Sequence, residues 1–276
     1  MKLKLVILVA AIPVLALAGC DSKDSNPFET TDPIEYELIW QDEFDGPADQ
    51  SPEGTKWAYD VGGGGWGNNQ LEFDTDRPEN VSLDGNGNLR IIARKESYQG
   101  REYTSARIKT QNKFAHTYGR FEARIKLPIG QGIWPAFWML GEDFPTVGWP
   151  KCGEIDIMEY RGQAPSRVSG ALHGPGYSGG NPLGGGYSLP NGGFNTDFHL
   201  FAVEWTKNSV TWSVDGIEYM TKTSGNVPSG GDWVFDHPFF IILNVAVGGG
   251  FVGPPNSSTV FPQTMLIDYV RVYGES

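Results

Sequence analysis

Short apolar strands separated by glycine-rich turns dominate this sequence, and they constrain its fold more than any other feature. Val210, Trp212 and Val214 alternate with polar residues, and Asp215-Gly216 follows where a tight hairpin turn would reverse the chain. Two nearly continuous apolar runs predict buried strands, Phe239–Val247 and Met265–Val272. No long amphipathic helix pattern stands out, and the 37 glycines suit turns and loops. The chain is therefore predicted to be all-β, a sandwich of two sheets with long glycine-rich loops.

The first twenty residues have the pattern of an export signal. Lys2 and Lys4 form a short positive region, and the apolar stretch Leu5–Leu17 is too short to span a bilayer comfortably. The stretch ends in Leu17-Ala-Gly-Cys20, which resembles the bacterial lipobox, where the leader is cut before the cysteine and the thiol carries a lipid. The alternative is an ordinary signal peptide that happens to contain a cysteine. We expect residues 1–19 to be a lipoprotein signal peptide.

Lipidation of Cys20 would anchor the protein in the bacterial cell envelope, on the periplasmic or cell-surface side, without a spanning helix. Residues 20–33 are polar and carry two prolines, so they are expected to form the lipidated tether. Residues 34–276 show no linker, charge run or internal repeat, and they are expected to form one domain that acts as a monomer.

The composition limits the partners of the chain. The formal charge of −12 becomes about −14 once the two lysines of the leader are removed. This excess of acid argues against nucleic acid and anionic membrane surfaces as partners, and mildly against a heavily sulfated polysaccharide. Cys152 would be the one cysteine left beside a lipidated Cys20, so an internal disulfide is excluded. We expect Cys152 to be a small buried hydrophobe, with a distant histidine partner left open.

The run Glu154-Ile-Asp-Ile-Met-Glu159 is the densest chemical signal in the sequence. On a strand, Glu154 and Asp156 point to one side while the two isoleucines enter the core, and Glu159 then has the wrong parity. A lone buried carboxylate is costly, so a β-bulge near Met158 is expected to turn Glu159 back to the side that carries the other two acids.

Three crowded acids suit the cleavage of glycosidic bonds. A retaining mechanism needs two carboxyl groups about 5–5.5 Å apart, one ionised as nucleophile and one protonated as acid. Repulsion between neighbouring carboxylates separates their pKa values, which would supply those two states. Asp156, between the two glutamates, would hydrogen-bond Glu154 and help to set its charge. A solvated acidic strand face or a cation site is the alternative for such acids taken alone.

Aromatic residues upstream of the acids favour the sugar-cleaving interpretation. Trp134 and Trp138 are predicted to share one side of a strand, with Phe137 on the other, although each tryptophan by itself could be a core residue. His173 ends a run whose apolar members take the opposite side, so it is expected to project into the same cleft. Asn244 is polar within an apolar strand, and either a core hydrogen bond or a place in the groove would explain it.

These motifs together resemble the laminarinase branch of glycoside hydrolase family sixteen. Beside the acid run, the matching segments cover most of the chain after the tether: Trp40–Gly46, Asn68–Glu72, Tyr103–Ile108, Tyr118–Glu122, Trp134–Leu140 and Asp268–Tyr273. The resemblance implies a jelly-roll, concanavalin A-like β-sandwich with a concave substrate groove, so that residues 34–276 would be the catalytic domain. It also implies a retaining endo-1,3-β-glucanase that needs no cofactor for catalysis.

The resemblance implies specific residue roles as well. Glu154 would be the nucleophile, Asp156 its helper and Glu159 the acid/base. Sugar contacts would come from Asn69, Arg94, Trp134, Trp138 and His173. A structural calcium would be bound by Glu43, Gly87 and Asp268, with backbone oxygens contributing.

Two other classes of function compete with the glucanase. A glucan-binding or sensing protein could use the same sandwich, but such proteins typically lose the catalytic carboxylates, and all three are present here. A hydrolase of mixed-linkage glucan, agarose or carrageenan is the second alternative. The tryptophan run and the acidic balance favour a neutral β-glucan.

Overall fold

The computed structural model describes residues 4–5 and 35–275, and almost all of them lie in strands or loops. The strands are, in chain order, β1 (Lys4–Leu5), β2 (Tyr36–Asp42), β3 (Ala58–Asp60), β4 (Glu72–Asp74), β5 (Val81–Leu83), β6 (Leu89–Tyr98), β7 (Arg101–Ser105), β8 (Arg107–Lys109), β9 (Gly119–Lys126), β10 (Ile133–Gly141), β11 (Glu154–Tyr160), β12 (Arg167–His173), β13 (Leu183–Ser188), β14 (His199–Trp205), β15 (Ser209–Val214), β16 (Ile217–Thr223), β17 (Phe239–Val247) and β18 (Gln263–Glu275). Helix is limited, within these residues, to α1 (Phe144–Val147) and a 3-10 turn at Ser224–Asn226. The predicted leader, its Cys20 and the tether lie outside the described residues except for β1.

Two sheets form the body of the protein. The large sheet has eleven strands, with the main order β16-β15-β14-β9-β18-β6-β7-β4, while β2 and β5 pair with β18 and β6 and β1 pairs with β2. The small sheet has seven strands in the order β13-β12-β11-β10-β17-β8-β3. One large apolar cluster takes residues from both sheets, including Phe137 and Ile155 from the small sheet and Phe121 and Val272 from the large one. The predicted two-sheet sandwich is confirmed.

Strand β17 shows how the small sheet is buried on both sides. Its residues Phe239, Ile241, Leu243, Val245 and Val247 join the core between the sheets. The alternate residues Phe240, Ile242 and Ala246 pack in two smaller clusters with residues of β10 and the loops. A strand covered on both sides reads as a continuous apolar run, which explains the pattern of this segment.

The predicted hairpin at Asp215-Gly216 is also confirmed. Both residues have positive φ, 50° and 78°, as a two-residue hairpin turn between β15 and β16 requires. Cys152 is completely buried, and burial raises the pKa of its thiol to about 12, so it is the inert apolar residue that was expected. Among the described residues, no helix is long and apolar enough to cross a membrane.

Candidate active site

The acid run of β11 contains the predicted bulge. Against β10, Trp138 lies opposite Asp156 and Phe137 lies opposite Met158, so that Ile157 is left over between the two pairs. The register with β12 shifts in the same stretch, between Asp156 and Glu159. One extra residue on one strand of an antiparallel pair is the definition of a β-bulge.

The bulge puts the acids on the outer side of the small sheet. Ile155, Ile157 and Met158 are all buried in the core between the sheets. The carboxyl groups of Glu154 and Glu159 instead accept hydrogen bonds from tryptophan side chains on the outer side of the sheet. Without the extra residue, regular alternation would send Glu159 into the core, where an unpaired carboxylate is costly. The parity argument made from the sequence is therefore confirmed.

Glu154 lies at the start of β11 between a tryptophan and a histidine. The indole N–H of Trp149 donates to its Oε2 at 2.9 Å, and Nε2 of His173 lies 3.6 Å from its Oε1. Burial raises the pKa of Glu154 to about 8, and the charge of Asp156 adds to the rise while His173 opposes it. The group is still accessible, since 18% of its side chain is exposed.

Glu159 lies at the other end of the acid run and is held by a different tryptophan. The indole N–H of Trp134 donates to Oε1 of Glu159 at 3.2 Å. Burial raises the pKa of Glu159 to about 8, with a further contribution from Asp156, while Arg161 and the Trp134 hydrogen bond act in the opposite direction. A carboxyl group of this kind keeps its proton in neutral solution.

Asp156 and His173 lie between the two glutamates. Oδ2 of Asp156 is 3.1 Å from Nε2 of His173, and burial raises the pKa of this aspartate to about 7. The other ring nitrogen of His173, Nδ1, accepts a hydrogen bond from the backbone N–H of Gly179 at 3.1 Å. A neutral imidazole that accepts at Nδ1 carries its proton on Nε2, the ring nitrogen that lies 3.1 Å from Asp156.

The same three side chains are close enough to be considered as metal ligands. Ligand atoms of Glu154, Asp156 and His173 lie within 4.8 Å of one another. A histidine nitrogen must be unprotonated to bind a metal, whereas the Gly179 hydrogen bond leaves the proton on Nε2. This arrangement favours a hydrogen-bond donor among the acids over a metal centre.

Trp138 forms the floor of the cleft beside the acids. Its indole N–H donates to Oδ1 of Asn244 at 2.8 Å, so this buried asparagine satisfies a hydrogen bond on the same side of the sheet as Trp138. The guanidinium of Arg107 lies over the ring of Trp138, 4.7 Å from its centroid, and over that of Trp66 at 4.9 Å. Arg107 thus joins the floor to the loop that carries Trp66.

The loop with Asn69 forms the wall of the cleft next to Trp134. The N–H of Gly250 donates to the carbonyl of Asn68 at 2.9 Å, and Gln70 bridges to Gly248. Gly249 has a φ of 97°, and a Cβ there would lie 3.3 Å from the ring of Trp134 and 3.0 Å from the oxygen of Asn68. Glycine is required at this close approach, which lets the loop that carries the exposed Asn69 pack near Trp134.

The structure does not bring Arg94 together with the acids. Arg94 lies on β6 of the large sheet, in a shallow cavity that it shares with Glu96, Phe261 and Pro262. Its role as a sugar contact stays a prediction. Arg107 and Trp149 are the cleft residues that the sequence reasoning missed. A tryptophan five residues before the acid run was the available signal for Trp149.

The residues predicted to bind calcium are engaged in ion pairs. Both carboxylate oxygens of Glu43 accept from Arg271, at 2.8 and 2.7 Å. Oδ2 of Asp268 accepts from Arg124 at 2.6 Å. Carboxylates already neutralised by arginine do not fit a hard cation as they stand. Gly87 lies near Asp45, whose Oδ1 would be 3.8 Å from a Cβ at that glycine.

The sequence matches a known family and is similar to proteins that have been named. The family model described as glycosyl hydrolases family 16 matches residues 66–271. The chain is similar to a protein named beta-glucanase from Rhodothermus marinus, with 43% identity over 284 residues that cover 99% of this chain and 96% of that protein.

Solved structures of similar sequence share the fold of this chain. The laminarinase catalytic domain from Thermotoga maritima MSB8 is 48% identical, with a TM-score of 0.82 over 87% of this chain and 99% of that chain. The endo-beta-1,3-glucanase from Pyrococcus furiosus is 45% identical, with a TM-score of 0.83 over 88% of this chain and 96% of that chain.

Proposed function

The chain belongs to glycosyl hydrolases family 16, and on that premise we propose that it is a retaining endo-1,3-β-glucanase, a hydrolase that cuts within laminarin-type chains. The jelly-roll sandwich implied by the sequence resemblance is confirmed by the same membership. The observation that carries the proposal is the bulge of β11, which presents Glu154 and Glu159 on the same side of the sheet as Trp134 and Trp138.

The proposed reaction has two displacements at the anomeric carbon. In the first, a carboxylate oxygen of Glu154 bonds to that carbon as the bond to the glycosidic oxygen breaks, and Glu159 donates its proton to the departing oxygen. In the second, Glu159 takes a proton from water, the water oxygen bonds to the same carbon, and the ester to Glu154 breaks. Two inversions at one carbon retain its configuration.

The hydrogen-bond donors distinguish the roles of the two glutamates. Glu154 receives the N–H of Trp149, and His173, 3.6 Å away, lowers its pKa through its charge, so both favour the ionised form that a nucleophile needs. Burial raises the pKa of both glutamates to about 8, so the donors decide between them: Glu159 has one long hydrogen bond, from Trp134, and is assigned the proton that an acid must donate. The negative charge of Asp156 raises the pKa of both glutamates, which favours the proton on Glu159, whereas at Glu154 the Trp149 hydrogen bond and the charge of His173 oppose that effect.

The aromatic floor supports a neutral sugar as the substrate. Trp134 and Trp138 lie on the outer side of β10, where sugar rings could stack on their faces, and Asn69 and His173 add polar groups at the wall and beside the acids. Two polar residues hold Trp138 in place: Asn244 accepts its indole N–H, and the guanidinium of Arg107 lies over its ring. A cleft of this kind is suited to binding by stacking and hydrogen bonds.

The activity is tested by the products formed from four polysaccharides. Incubation of the purified domain with laminarin is expected to release a series of short oligosaccharides, since cleavage is internal. If lichenan is cut only at its 1,3 bonds, the enzyme has a strict linkage preference. If its 1,4 bonds are cut as well, the enzyme has mixed-linkage activity. Release from agarose or carrageenan with intact laminarin would contradict the proposal, as would tight binding of laminarin without cleavage.

The location and the assembly of the enzyme are part of the proposal. The Leu17-Ala-Gly-Cys20 junction supports a lipid anchor on Cys20 in the cell envelope, where polymeric glucans can be reached. Action as a monomer is the remaining part of this proposal.

Hydrolysis by this family needs no cofactor. A structural calcium at Glu43, Gly87 and Asp268 is a separate expectation, and Arg271 would have to release Glu43 for it to bind. Thermal melting with added calcium and with a chelator tests it. A melting temperature that is the same in both would remove the calcium site from the account.

A further inference from the structure

Two carboxyl groups that the reaction does not use are buried behind the wall of the cleft. Glu72 and Asp74 alternate on β4 and are 0% and 2% exposed. Oε1 of Glu72 and Oδ1 of Asp74 are buried without a hydrogen-bond partner. Two ionised carboxylates in such a place would be costly, so their charge has to be accounted for.

The charged groups around the pair do not balance two carboxylates. Arg107 on β8 acts on both acids, and Asp60 on β3 repels Asp74. Asp60 already lies 3.0 Å from Nε of Arg107 and 2.5 Å from Nζ of Lys109. The cluster thus has two cations, Arg107 and Lys109, and three carboxyl groups, those of Glu72, Asp74 and Asp60. It is neutral when one of the three carboxyl groups is protonated.

Geometry assigns that proton to Asp74. The backbone N–H of Val247 donates to Oε2 of Glu72 at 2.7 Å, and such a donor favours an ionised acceptor. Asp74 is repelled by both Glu72 and Asp60. Burial raises the pKa of Glu72 to about 7, and it raises the pKa of Asp74 well above its usual range, with the charge of Glu72 adding to the rise.

The cluster is connected to the cleft through Arg107. This arginine lies against Trp138 on the floor and against Trp66 in the wall loop. The indole of Trp66 is also beside Asp74. The position of one guanidinium therefore depends on the charge behind it and determines how two rings of the cleft are held.

We propose that Asp74, kept neutral at the working pH, is a positioning residue which together with ionised Glu72 holds Arg107 against Trp138 and Trp66 and so keeps the cleft in shape for glucan. The inference rests on the proposed function, since it concerns the same cleft. When Asp74 loses its proton, the second negative charge draws Arg107 away from the rings, and the affinity for glucan falls.

The experiment measures binding of a laminari-oligosaccharide to full-length protein that carries Glu154→Gln, which prevents turnover. Tryptophan fluorescence gives the Kd at pH 6 and pH 9. In this parent, the Kd is expected to rise with pH. Adding Asp74→Asn should lower the slope of log Kd against pH by up to about 1, the value for one proton linked to binding, because an amide cannot ionise. Asp156 and Glu159 are present throughout, so the difference between the proteins reports on Asp74.

Two further variants separate positioning from general disturbance. Glu72→Gln should raise the Kd more at pH 9 than at pH 6, because at pH 9 it removes an ionised carboxylate that attracts Arg107 and leaves Asp60 as the remaining partner of this arginine. The exposed Glu79→Gln should leave the slope of the parent intact. Infrared difference spectra at pH 7 should lose the stretching band of a protonated carboxyl group in Asp74→Asn, and thermal melting checks that each variant is folded.

Specific results would overturn the inference. They are an Asp74→Asn protein with the pH slope of the parent, an Asp74→Asn protein that weakens binding as much as Glu72→Gln, or no carboxyl band in the difference spectrum. If Glu72→Gln does not fold, the slope and the infrared band of Asp74→Asn decide. A parent that binds no laminari-oligosaccharide at either pH would contradict the proposed function instead.

Discussion

The indole N–H of Trp149 donates to Oε2 of Glu154 at 2.9 Å, although 45% of Trp149 is exposed. This tryptophan follows the short helix α1 and precedes the acid run by five residues. It therefore joins the loop at the rim of the cleft to the proposed nucleophile. A donor at this position stabilises the ionised glutamate, against the burial and the neighbouring acids that raise its pKa.

Trp149→Phe is expected to lower kcat/KM for laminarin by about ten- to a hundredfold, the range of a hydrogen bond to a charged group. Loss of the donor raises the pKa of Glu154 further, so the acidic limb of the pH profile of kcat/KM should move to higher pH. Trp233→Phe removes an indole whose N–H donates to a backbone carbonyl elsewhere, and it is the matched control. An unmoved acidic limb in Trp149→Phe would remove this tryptophan from the charge balance of the nucleophile.

Glu159→Gln is expected to stabilise the fold in mildly alkaline solution. Because the pKa of Glu159 is raised from 4.5 to about 8, the folded protein holds a proton that the unfolded chain releases between these values. The stability linked to this group is complete below pH 4.5 and is lost as the pH rises through 8. The amide removes that loss, so the melting temperature of Glu159→Gln should exceed that of the wild type at pH 8.

The gain should shrink towards zero at pH 4, where the wild-type carboxyl group is protonated in both states. The exposed Glu218→Gln provides a control with the same chemical change. Differential scanning calorimetry at both pH values makes the measurement. A variant that melts at or below the wild-type temperature at pH 8 would show that Glu159 is not a buried, proton-holding group.

Changing the length of the bulge tests the parity argument. Deleting Met158 leaves Glu154, Asp156 and Glu159 at regular alternation, so Glu159 still lies on the outer side. Inserting Ala after Ile157 places Glu159 six positions after Glu154: a retained bulge would then turn it towards the core, and a strand without the bulge would keep it on the outer side but too far along the strand from Glu154. Activity on laminarin should survive the deletion better than the insertion, although both should lower the melting temperature, since Met158 and Ile157 are core residues. Equal, mild effects on activity would contradict the role of the bulge.

Cys20→Ser is expected to change the location of the protein, because no thiol remains to accept the lipid. The prediction is based on the Leu17-Ala-Gly-Cys20 junction, which resembles the bacterial lipobox. Fractionation of cells should find the native protein with membranes, and the variant unprocessed or away from them. Mass spectrometry that finds no lipid on the native protein, together with equal membrane association of the two, would argue against the anchor.

The local geometry of the site could be predicted from the sequence because it follows from parity and the cost of burial. The bulge was required once Glu159 fell on the core side of β11, and Trp134, Trp138 and His173 followed from alternation along their own strands. These arguments use only neighbouring residues. For the same reason the bounds of β17 agree with its apolar run, Phe239–Val247.

Contacts between distant parts of the chain could not be predicted in this way. Arg107 reaches the cleft because β8 pairs with β17, Asn244 lying opposite it, and no local pattern distinguishes it from Arg94. Glu43 and Arg271 are 228 residues apart, so no local sequence pattern could predict that the proposed calcium ligand Glu43 forms an ion pair with this arginine. The pairing of Glu72 with Asp74 was visible, but not its burial behind the cleft wall.

The central claim is that Glu154 is the nucleophile of a retaining glucanase, and chemical rescue of Glu154→Ala tests it most directly. The variant should remain folded and lose laminarin hydrolysis by several orders of magnitude, because the covalent step is gone. Added azide should restore cleavage of an activated β-glucoside oligosaccharide and give the α-glycosyl azide, since one displacement inverts the anomeric carbon. Substantial laminarin hydrolysis by Glu154→Ala, or rescue that gives a β-configured azide, would contradict the account.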